Sequence, residues 1–496
     1  MGVYGRDQGL RLSQTDWDYE GRARTRVVSR SMTAWTPLWG RRELLKAAWV
    51  GPSAAAAALG GAYAAARQEP DEGEVAGQPD EAALEAYRAG FAAPPLERVR
   101  IGFVGVGLQG GSHVRNFLRI DGVDVVAICD IDEPRAEEVA SWVVDAGGAP
   151  PELYTRGDTD FRRLCERDDI ELVFNATPWR WHVPVCVEAM ETGKHTAVEV
   201  PAAITLEGCW RLVETAERTA RHCVMMENCN YGRSEMMVLN MVRQGLLGDL
   251  LHGEAAYIHD LRSIKFSDRN EGLWRLQHSV ERNANLYPTH GLGPVAQCMD
   301  INRGDCFDYL VSLSSPAKGL ALYAAERFGA DDPRARVRYA LGDMNSSLIR
   351  TRRGRSILLQ HDTTTPRPYS RLNLVQGTRG VFAGFPDRIF IEGEAEGHEW
   401  SDVEPYRERF EHPLWAERAG DAEGAGHGGM DYLEDYRLVR CLLEGTPTDM
   451  DVYDAAALSA PVELSELSVA RGSEPVEFPD FTRGAYRTRP PLGIVA

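Results

Sequence analysis

The chain is 496 residues long, 43% apolar and 26% charged, with a formal net charge of −19 at neutral pH. That length exceeds one ordinary core and points to two domains with appendages, while the composition excludes a disordered or fibrous chain. The first 66 residues hold 9 Lys and Arg against 5 Asp and Glu, so the rest, at 46 against 69, is an acidic body that repels phosphate backbones and argues against nucleic acid as a partner.

Arg41-Arg42-Glu43-Leu44-Leu45-Lys46 precedes an uncharged, Ala-rich run from Ala47 to Ala66 that contains the small-x-small tripeptide Ala62-Tyr63-Ala64. A basic pair, an apolar run and a cleavage tripeptide in that order predict a twin-arginine export signal over residues 1–66, and hence a periplasmic or secreted protein; Met32 is an alternative start to Met1. Gly51, Pro52, Gly60 and Gly61 make this run a poor spanning helix, so no stable membrane span is expected. Residues 67–96, acidic and with Pro70, Pro79, Pro94 and Pro95, read as a linker with one short helix.

From Val99 the pattern changes to strands alternating with helices. "VRIGFVGVGLQGGSHVRNFL" is a strand, a glycine turn and a helix, with Gly105, Gly107 and Gly110 in G-x-G-x-x-G spacing. These glycines allow a tight turn and close backbone approach, so that a pyrophosphate rests on the helix N-terminus. The next strand, "VDVVAICD", ends in Asp130, 20 residues after Gly110, where a carboxylate holds the ribose 2′-hydroxyl of NAD and disfavours the 2′-phosphate of NADP. Further strands at 172–178, 196–201 and 223–231 complete a doubly wound parallel sheet over residues 97–230, whose ligands lie at the strands' carboxyl ends. Glu199, Val200 and Asn228 fall at such ends.

Residues 231–496 are expected to form a second α/β unit with strands such as "RSILLQHD" and two closing helices, "MDYLEDYRLVRCLLEG" and "VYDAAALSAPVELSELSVARG". The charges of those segments, at helical spacing, read as solvated faces. The nine cysteines are odd in number, show no C-x-x-C and read as small core residues; no spacing suggests metal ligands. His113, His195, His222, His252 and His361 read as structural.

"NATPWRWHVPVCVEAMETGKHTAVEVPAA" resembles the T-P…H…G-K-H…E-K-P run of the glucose-fructose oxidoreductase and inositol dehydrogenase (Gfo/Idh/MocA) superfamily. The resemblance runs from about residue 97 to the C-terminus and implies a Rossmann domain followed by an α/β domain with an open, mostly antiparallel sheet, of a kind that often pairs with a second copy. It departs at the chemistry: the lysine of E-K-P is Val200, and the Asp four residues before a second-domain histidine is Leu286. "EVPAA", "WRWH", "ENCNYG", "YPTHGLGP", "PRPYS" and "GHGGMDY" are similar to one branch, the NAD-dependent α-N-acetylgalactosaminidases of glycoside hydrolase family 109.

That resemblance implies a glycosidase that needs no carboxylate pair. Hydride leaves C3 of the sugar, the C2 proton becomes acidic, the C1 substituent is expelled, water adds and hydride returns, so tightly bound NAD is recycled. Leu108 and Gln109, Asp130, Trp179, Arg180, Trp181 and His182, Glu199, Val200 and Asn228 are expected to line the cofactor. Tyr287 and His290 are expected to hold and deprotonate the C3 hydroxyl, and Tyr257, Arg275, Pro288, Thr289 and Tyr369 to bind the sugar. His427, among four glycines at an apparent helix start, is expected to be the acid/base at C2 and C1. The helix N-terminus should keep its ring neutral and the glycines should let it swing. A plain sugar oxidoreductase and a non-catalytic sugar-binding protein are the competing readings.

Overall fold

The computed structural model describes residues 81–395 and 397–495; the expected export signal and the start of the expected linker lie outside them. The first helix, α1 (Glu81–Gly90), is not free chain: Tyr87 is buried, and its hydroxyl donates to the Arg221 carbonyl at 2.8 Å.

Six strands, β1 (Val99–Val104), β2 (Val123–Cys129), β3 (Glu152–Tyr154), β4 (Leu172–Asn175), β5 (His195–Val198) and β6 (Cys223–Met225), form a wholly parallel sheet in the order β3-β2-β1-β4-β5-β6. The order reverses between β1 and β4, which opens a crevice at the carboxyl edge where a dinucleotide binds in such sheets. β4, β5 and β6 are buried along their whole length, because helices cover both faces and leave no polar side to alternate. The helices that matter for the crevice are α2 (Leu108–Phe117), which follows β1, α3 (Glu133–Asp145), which follows β2, α4 (His182–Glu191) and α5 (Leu206–Thr219). Asp132 caps α3 by accepting from the Arg135 amide, and Thr205 caps α5 by accepting from the Gly208 amide.

The second sheet has eight strands: β7 (Leu250–Ile258), β8 (Phe307–Ser314), β9 (Asn345–Thr351), β10 (Ser356–Asp362), β11 (Leu374–Gly377), β12 (Gly380–Ala383), β13 (Arg388–Ile391) and β14 (Val476–Glu477). Their order is β13-β12-β11-β7-β10-β9-β8-β14, antiparallel throughout except where β10 runs parallel to β7. Helix α6 (Gly272–Glu281) brings Trp274 against Trp179 of the first domain, and α7 (Thr289–Cys298) packs on β7 of this sheet.

The chain then returns. Helix α8 (Met430–Glu444) packs across α2, and the second closing segment, expected as one helix, is two, α9 (Val452–Ser459) and α10 (Pro461–Ala470), because Pro461 offers no amide to continue the first. α9 docks on α5: the Tyr453 hydroxyl donates to Glu217 at 2.8 Å, and Ser459 accepts from the Ala202 amide at 3.0 Å. The reading of these segments as solvated faces is overturned for α8, where Asp431, Glu434 and Asp435 are all buried, Asp435 against His113 and Asn116 of α2 and Asp431 against Asn228 in the turn after β6. The nine cysteines are all free and buried. Among the described residues no helix is long and apolar enough to cross a membrane.

Candidate active site

The glycine turn after β1 is built as its spacing requires. Gly105 takes φ +83°, and a Cβ there would sit 2.7 Å from the Ala176 carbonyl oxygen; a Cβ on Gly110 would collide with the Gly105 carbonyl. Gly107 is different, since a Cβ on it would meet nothing within 4 Å. It opens onto the crevice at the start of α2, whose N-terminus has no side-chain cap among the described residues, so backbone amides there are left for an anion. Asp130 stands at the tip of β2 and accepts from the amides of Val106 at 2.8 Å and Asp132 at 2.9 Å. Arg135 ties down the turn by donating to the carbonyls of Val106 and Gly107 at 2.7 and 2.8 Å. An open cradle, an uncapped helix and a fixed carboxylate fit a dinucleotide.

At the tip of β5, Glu199 accepts from Nε2 of His113 at 2.9 Å, and the other ring nitrogen of His113 donates to Asp435 at 2.8 and 2.9 Å. Asn116 caps the line by donating to Asp435 at 2.9 Å. Burial works against a charged ring on His113, but Asp435 and Glu199 outweigh it and push its pKa well above the usual value. Burial pushes Asp435 up to about 6. Glu434, one residue earlier, has both carboxyl oxygens buried without a hydrogen-bond partner among the described residues, and burial pushes its pKa well above the usual carboxylate range.

Across the crevice an aromatic cluster joins the two sheets. Trp179 donates to the Val200 carbonyl at 3.2 Å and packs on Trp274, His278 and Tyr287, with ring centroids 4.8, 4.9 and 5.8 Å away. Arg275 lies over Trp179, Trp274 and Tyr287 at 5.2, 5.3 and 4.9 Å and donates to Glu271. Tyr287 and His290 pack edge to face at 4.8 Å, and Tyr257 lies 4.6 Å from Tyr287 and 5.4 Å from His290. Burial pushes the Tyr257 phenol up to about 12 and that of Tyr287 well above its usual value, so both stay protonated donors. Tyr369 completes this wall 6.2 Å from Tyr257, its hydroxyl accepting from Arg371 at 3.0 Å.

Two histidines face this space on carboxylates. Nδ1 of His290, in the first turn of α7, donates to Glu227 at 2.8 Å. Nδ1 of His427 lies 3.0 and 2.9 Å from the two oxygens of Asp431, in the first turn of α8. Asn228 donates to Asp431 at 2.6 Å, so the residue after Glu227 holds the second pair.

Residues 99–227 match the family described as an oxidoreductase family with an NAD-binding Rossmann fold, and residues 231–488 match the C-terminal domain of glycosyl hydrolase 109. A glycosyl hydrolase family 109 protein of Shewanella baltica (strain OS195) is 54% identical over 412 residues, covering 82% of this chain and 90% of the relative. A family 109 protein from Shewanella sp. (strain MR-7) matches to the same extent.

The chain belongs to glycosyl hydrolase family 109.

The fold is that of the Gfo/Idh/MocA oxidoreductases. Levoglucosan dehydrogenase in complex with NADH and levoglucosan superposes with a TM-score of 0.59 at 18% identity, covering 77% of this chain and 100% of that one. Scyllo-inositol dehydrogenase from Lactobacillus casei, with bound NAD(H) and scyllo-inositol, gives 0.54 at 14% identity over 77% of this chain and 99% of its own. This chain is thus a glycoside hydrolase on an NAD-binding oxidoreductase fold.

In this family 109 chain the crevice brings together Gly107, Asp130, Trp179, Glu199, Asn228, Tyr257, Arg275, Tyr287, His290, Tyr369 and His427. Leu108 is exposed at the open start of α2, with Gln109 half-buried behind it. Val200 is buried, its amide donating to Glu199 at 3.2 Å. Pro288 caps α7, and Thr289 behind it is fully buried beside Glu227.

Other expected residues are placed elsewhere. His182 is fully buried behind the wall, its ring nitrogens 2.8 Å from the carbonyls of Thr177 and Pro201, so it braces two loops. Arg180 points to solvent near Asp158, and Trp181 packs edge to face against Phe161. His427 departs most from expectation. It takes φ +50° itself, and hydrogen bonding to Asp431 raises its pKa, because a full carboxylate charge at contact outweighs the partial positive charge of a helix start. The ring is tied rather than swinging.

Sequence reasoning missed His113, Glu227, Asp431 and Asp435. Only the acid at the tip of β6 gave a local signal, "MENCNY", since strand tips line the crevice. The expectation of no metal-ligand set meets a cluster made by the fold: donor atoms of Glu227, Cys229 and His290 all lie within 4.8 Å of one another. Glu227 and His290 are already hydrogen-bonded to each other, and burial pushes the Cys229 thiol well up while it donates to Asn228 at 3.3 Å.

Proposed function

We propose that this family 109 enzyme cleaves α-N-acetylgalactosaminides or closely related glycosides by a redox-neutral cycle: oxidation at C3, elimination across C1 and C2, addition of water at C1, and reduction at C3. The observation that carries the reading is the convergence of a dinucleotide cradle and two carboxylate-bound histidines on one crevice. Bound NAD supplies a hydride acceptor at the start of turnover and a hydride donor at its end, and stays in place.

The chain's own residues supply the rest. The amides at the start of α2 and the open face of Gly107 receive the pyrophosphate, and Asp130 the ribose. Tyr287 donates to the C3 oxygen, and Nε2 of His290 takes the C3 hydroxyl proton as the carbonyl forms. The ketone makes the C2 proton acidic, and Nε2 of His427 removes it. The electron pair left at C2 forms the C1–C2 double bond as the C1–O bond breaks, and the His427 imidazolium returns its proton to the departing oxygen. Water then adds at C1, C2 is reprotonated, and His290 gives its proton back to the C3 oxygen. Hydrogen bonding to Asp431 raises the His427 pKa, which makes Nε2 a stronger base toward the C2 proton and leaves an imidazolium that can hand that proton on to the departing oxygen. Arg275, Tyr257 and Tyr369 bind hydroxyl and N-acetyl groups, and the apolar Val200 leaves C3 proton transfer to the opposite wall.

Turnover of an aryl α-N-acetylgalactosaminide in heavy water, without added cofactor, tests the cycle. Released sugar should carry deuterium at C2 and keep its own hydrogen at C3; product without deuterium at C2 removes the redox reading, and accumulating ketosugar with reduced cofactor makes the protein a dehydrogenase. Export by the twin-arginine route belongs to the same proposal. Residues 32–66 fused to a reporter should direct export that the Arg41→Lys, Arg42→Lys pair abolishes, and export unaffected by that pair would end the claim. Pairing of the second sheet with another copy of the chain is likewise proposed; a monomeric mass in sedimentation would remove it.

A further inference from the structure

A histidine used as a base must present an unprotonated nitrogen, and the group bound to its other nitrogen decides which one that is. Glu227 is fully buried at the start of the turn after β6, and one of its oxygens accepts from Nδ1 of His290 at 2.8 Å and from the Cys229 amide at 3.1 Å. Asp431 is 1% exposed and accepts from Nδ1 of His427 and from Asn228. An ionised carboxylate accepts only, so each ring must carry its proton on Nδ1 and leave Nε2 bare. Burial pushes both carboxyls up, yet the imidazoles facing them hold both below their usual values, which keeps them ionised. The Asn228 amide nitrogen also lies 3.3 Å from Nδ1 of His427, but two donors do not bond, and it is the shared acceptor Asp431 that draws both together.

We propose that Glu227 and Asp431 are positioning residues that lock His290 and His427 in the Nδ1–H form with Nε2 aimed at the substrate, and that the Glu227–Asn228 turn anchors both pairs to one strand tip. The consequence is coordination. Two proton-transfer groups from distant parts of the chain are referred to adjacent residues, so their spacing is set by a single rigid turn. The two rings are not equally sheltered: the His290 side chain is 12% exposed and that of His427 49%. His290 faces Glu227, Cys229, Tyr257 and Tyr287, while His427 feels Asp431, Glu199 and His113.

The roles given to the two rings rest on the redox-glycosidase reading; their tautomers do not, and the experiment separates the two. Long-range ¹H–¹⁵N spectra of the holoenzyme labelled at histidine, at about pH 8.5 and so above the usual imidazole range, should show both rings as Nδ1–H. In Glu227→Gln and Asp431→Asn the amide can turn its NH₂ to the ring, which brings up the Nε2–H form of the affected histidine alone. The kcat of each variant should fall about 10²- to 10⁴-fold, the full worth of a positioned acid/base, with KM moving less than about threefold. The acid limb of the Asp431→Asn profile should shift to lower pH, since the charge that raises His427 is gone. Glu227→Asp and Asp431→Glu, which keep the acceptor, should recover part of the loss. A wild-type ring found as Nε2–H, or Gln and Asn variants with native tautomers and native kcat, would overturn the proposal. Native tautomers with no deuterium at C2 would remove the glycosidase mechanism and leave the positioning intact.

Discussion

Two glycine-rich turns, Gly105–Gly110 and Gly426–Gly429, each lead into a helix that borders the crevice, and they are used in opposite ways. In the first the turn carries no acting side chain: Gly105 and Gly110 are small because backbone lies against them, and Gly107 because something must lie against it. In the second the acting group is a side chain. His427 takes a left-handed φ of +50°, flanked by Gly428 at +70° and Gly429 at +99°, so the glycines let a histidine be held in a conformation it does not favour. A glycine motif marks close approach in one place and tolerated strain in the other.

The largest effect should come from removing the side chain that the second turn presents. His427→Asn suits this test, because asparagine tolerates left-handed backbone and the turn need not relax. Turnover should fall by about two to four orders of magnitude, while sugar binding measured calorimetrically stays near native. A variant with native turnover and full C2 exchange would take His427 out of the mechanism.

The first turn breaks differently at each glycine. Gly110→Ala drives a methyl into the Gly105 carbonyl, a backbone group that cannot step aside, and should cost about 1–3 kcal/mol of stability as overpacking does. Gly107→Ala meets no protein atom and should spend its effect on dinucleotide retention instead. Thermal unfolding with the cofactor stripped, set beside dinucleotide content as purified, separates the two. Equal losses of Tm in both variants would mean that Gly107 is packed rather than open.

The contrast also explains what could be read from the chain. The first turn and Asp130 are local, with spacing set by the strand and helix that carry them, and the wholly parallel sheet follows from buried strands without polar alternation. Tyr287, His290 and His427 were legible through resemblance. Their partners were not. Asp431, Glu434 and Asp435 sit at i, i+3 and i+4 on α8, the same pattern that a solvated face shows, and it is the packing of α8 on α2 and on the turn after β6 that turns that face inward. His113 pairs with Asp435 322 positions away, a separation no periodicity reveals. Glu227 stands at the strand tip where ligands are expected, and the histidine it holds comes from 63 positions further along the chain.

The smallest effect, and the finest test of the comparison, lies at Gly428. Like Gly107 it has no atom within 4 Å of an added Cβ, so packing predicts that alanine is harmless at both. The reasons for glycine differ, however. Gly428 at φ +70° is in the left-handed region, where a Cβ costs about 1–2 kcal/mol. Gly428→Ala should therefore lower Tm by a few degrees at most while dinucleotide content stays native, the reverse of Gly107→Ala. Because the Asp431 carboxylate and not the glycine holds the His427 ring, kcat should fall by less than about tenfold, far short of the full contribution of an acid/base. A hundredfold loss from that one methyl would show that the left-handed turn itself, and not Asp431, poises the ring.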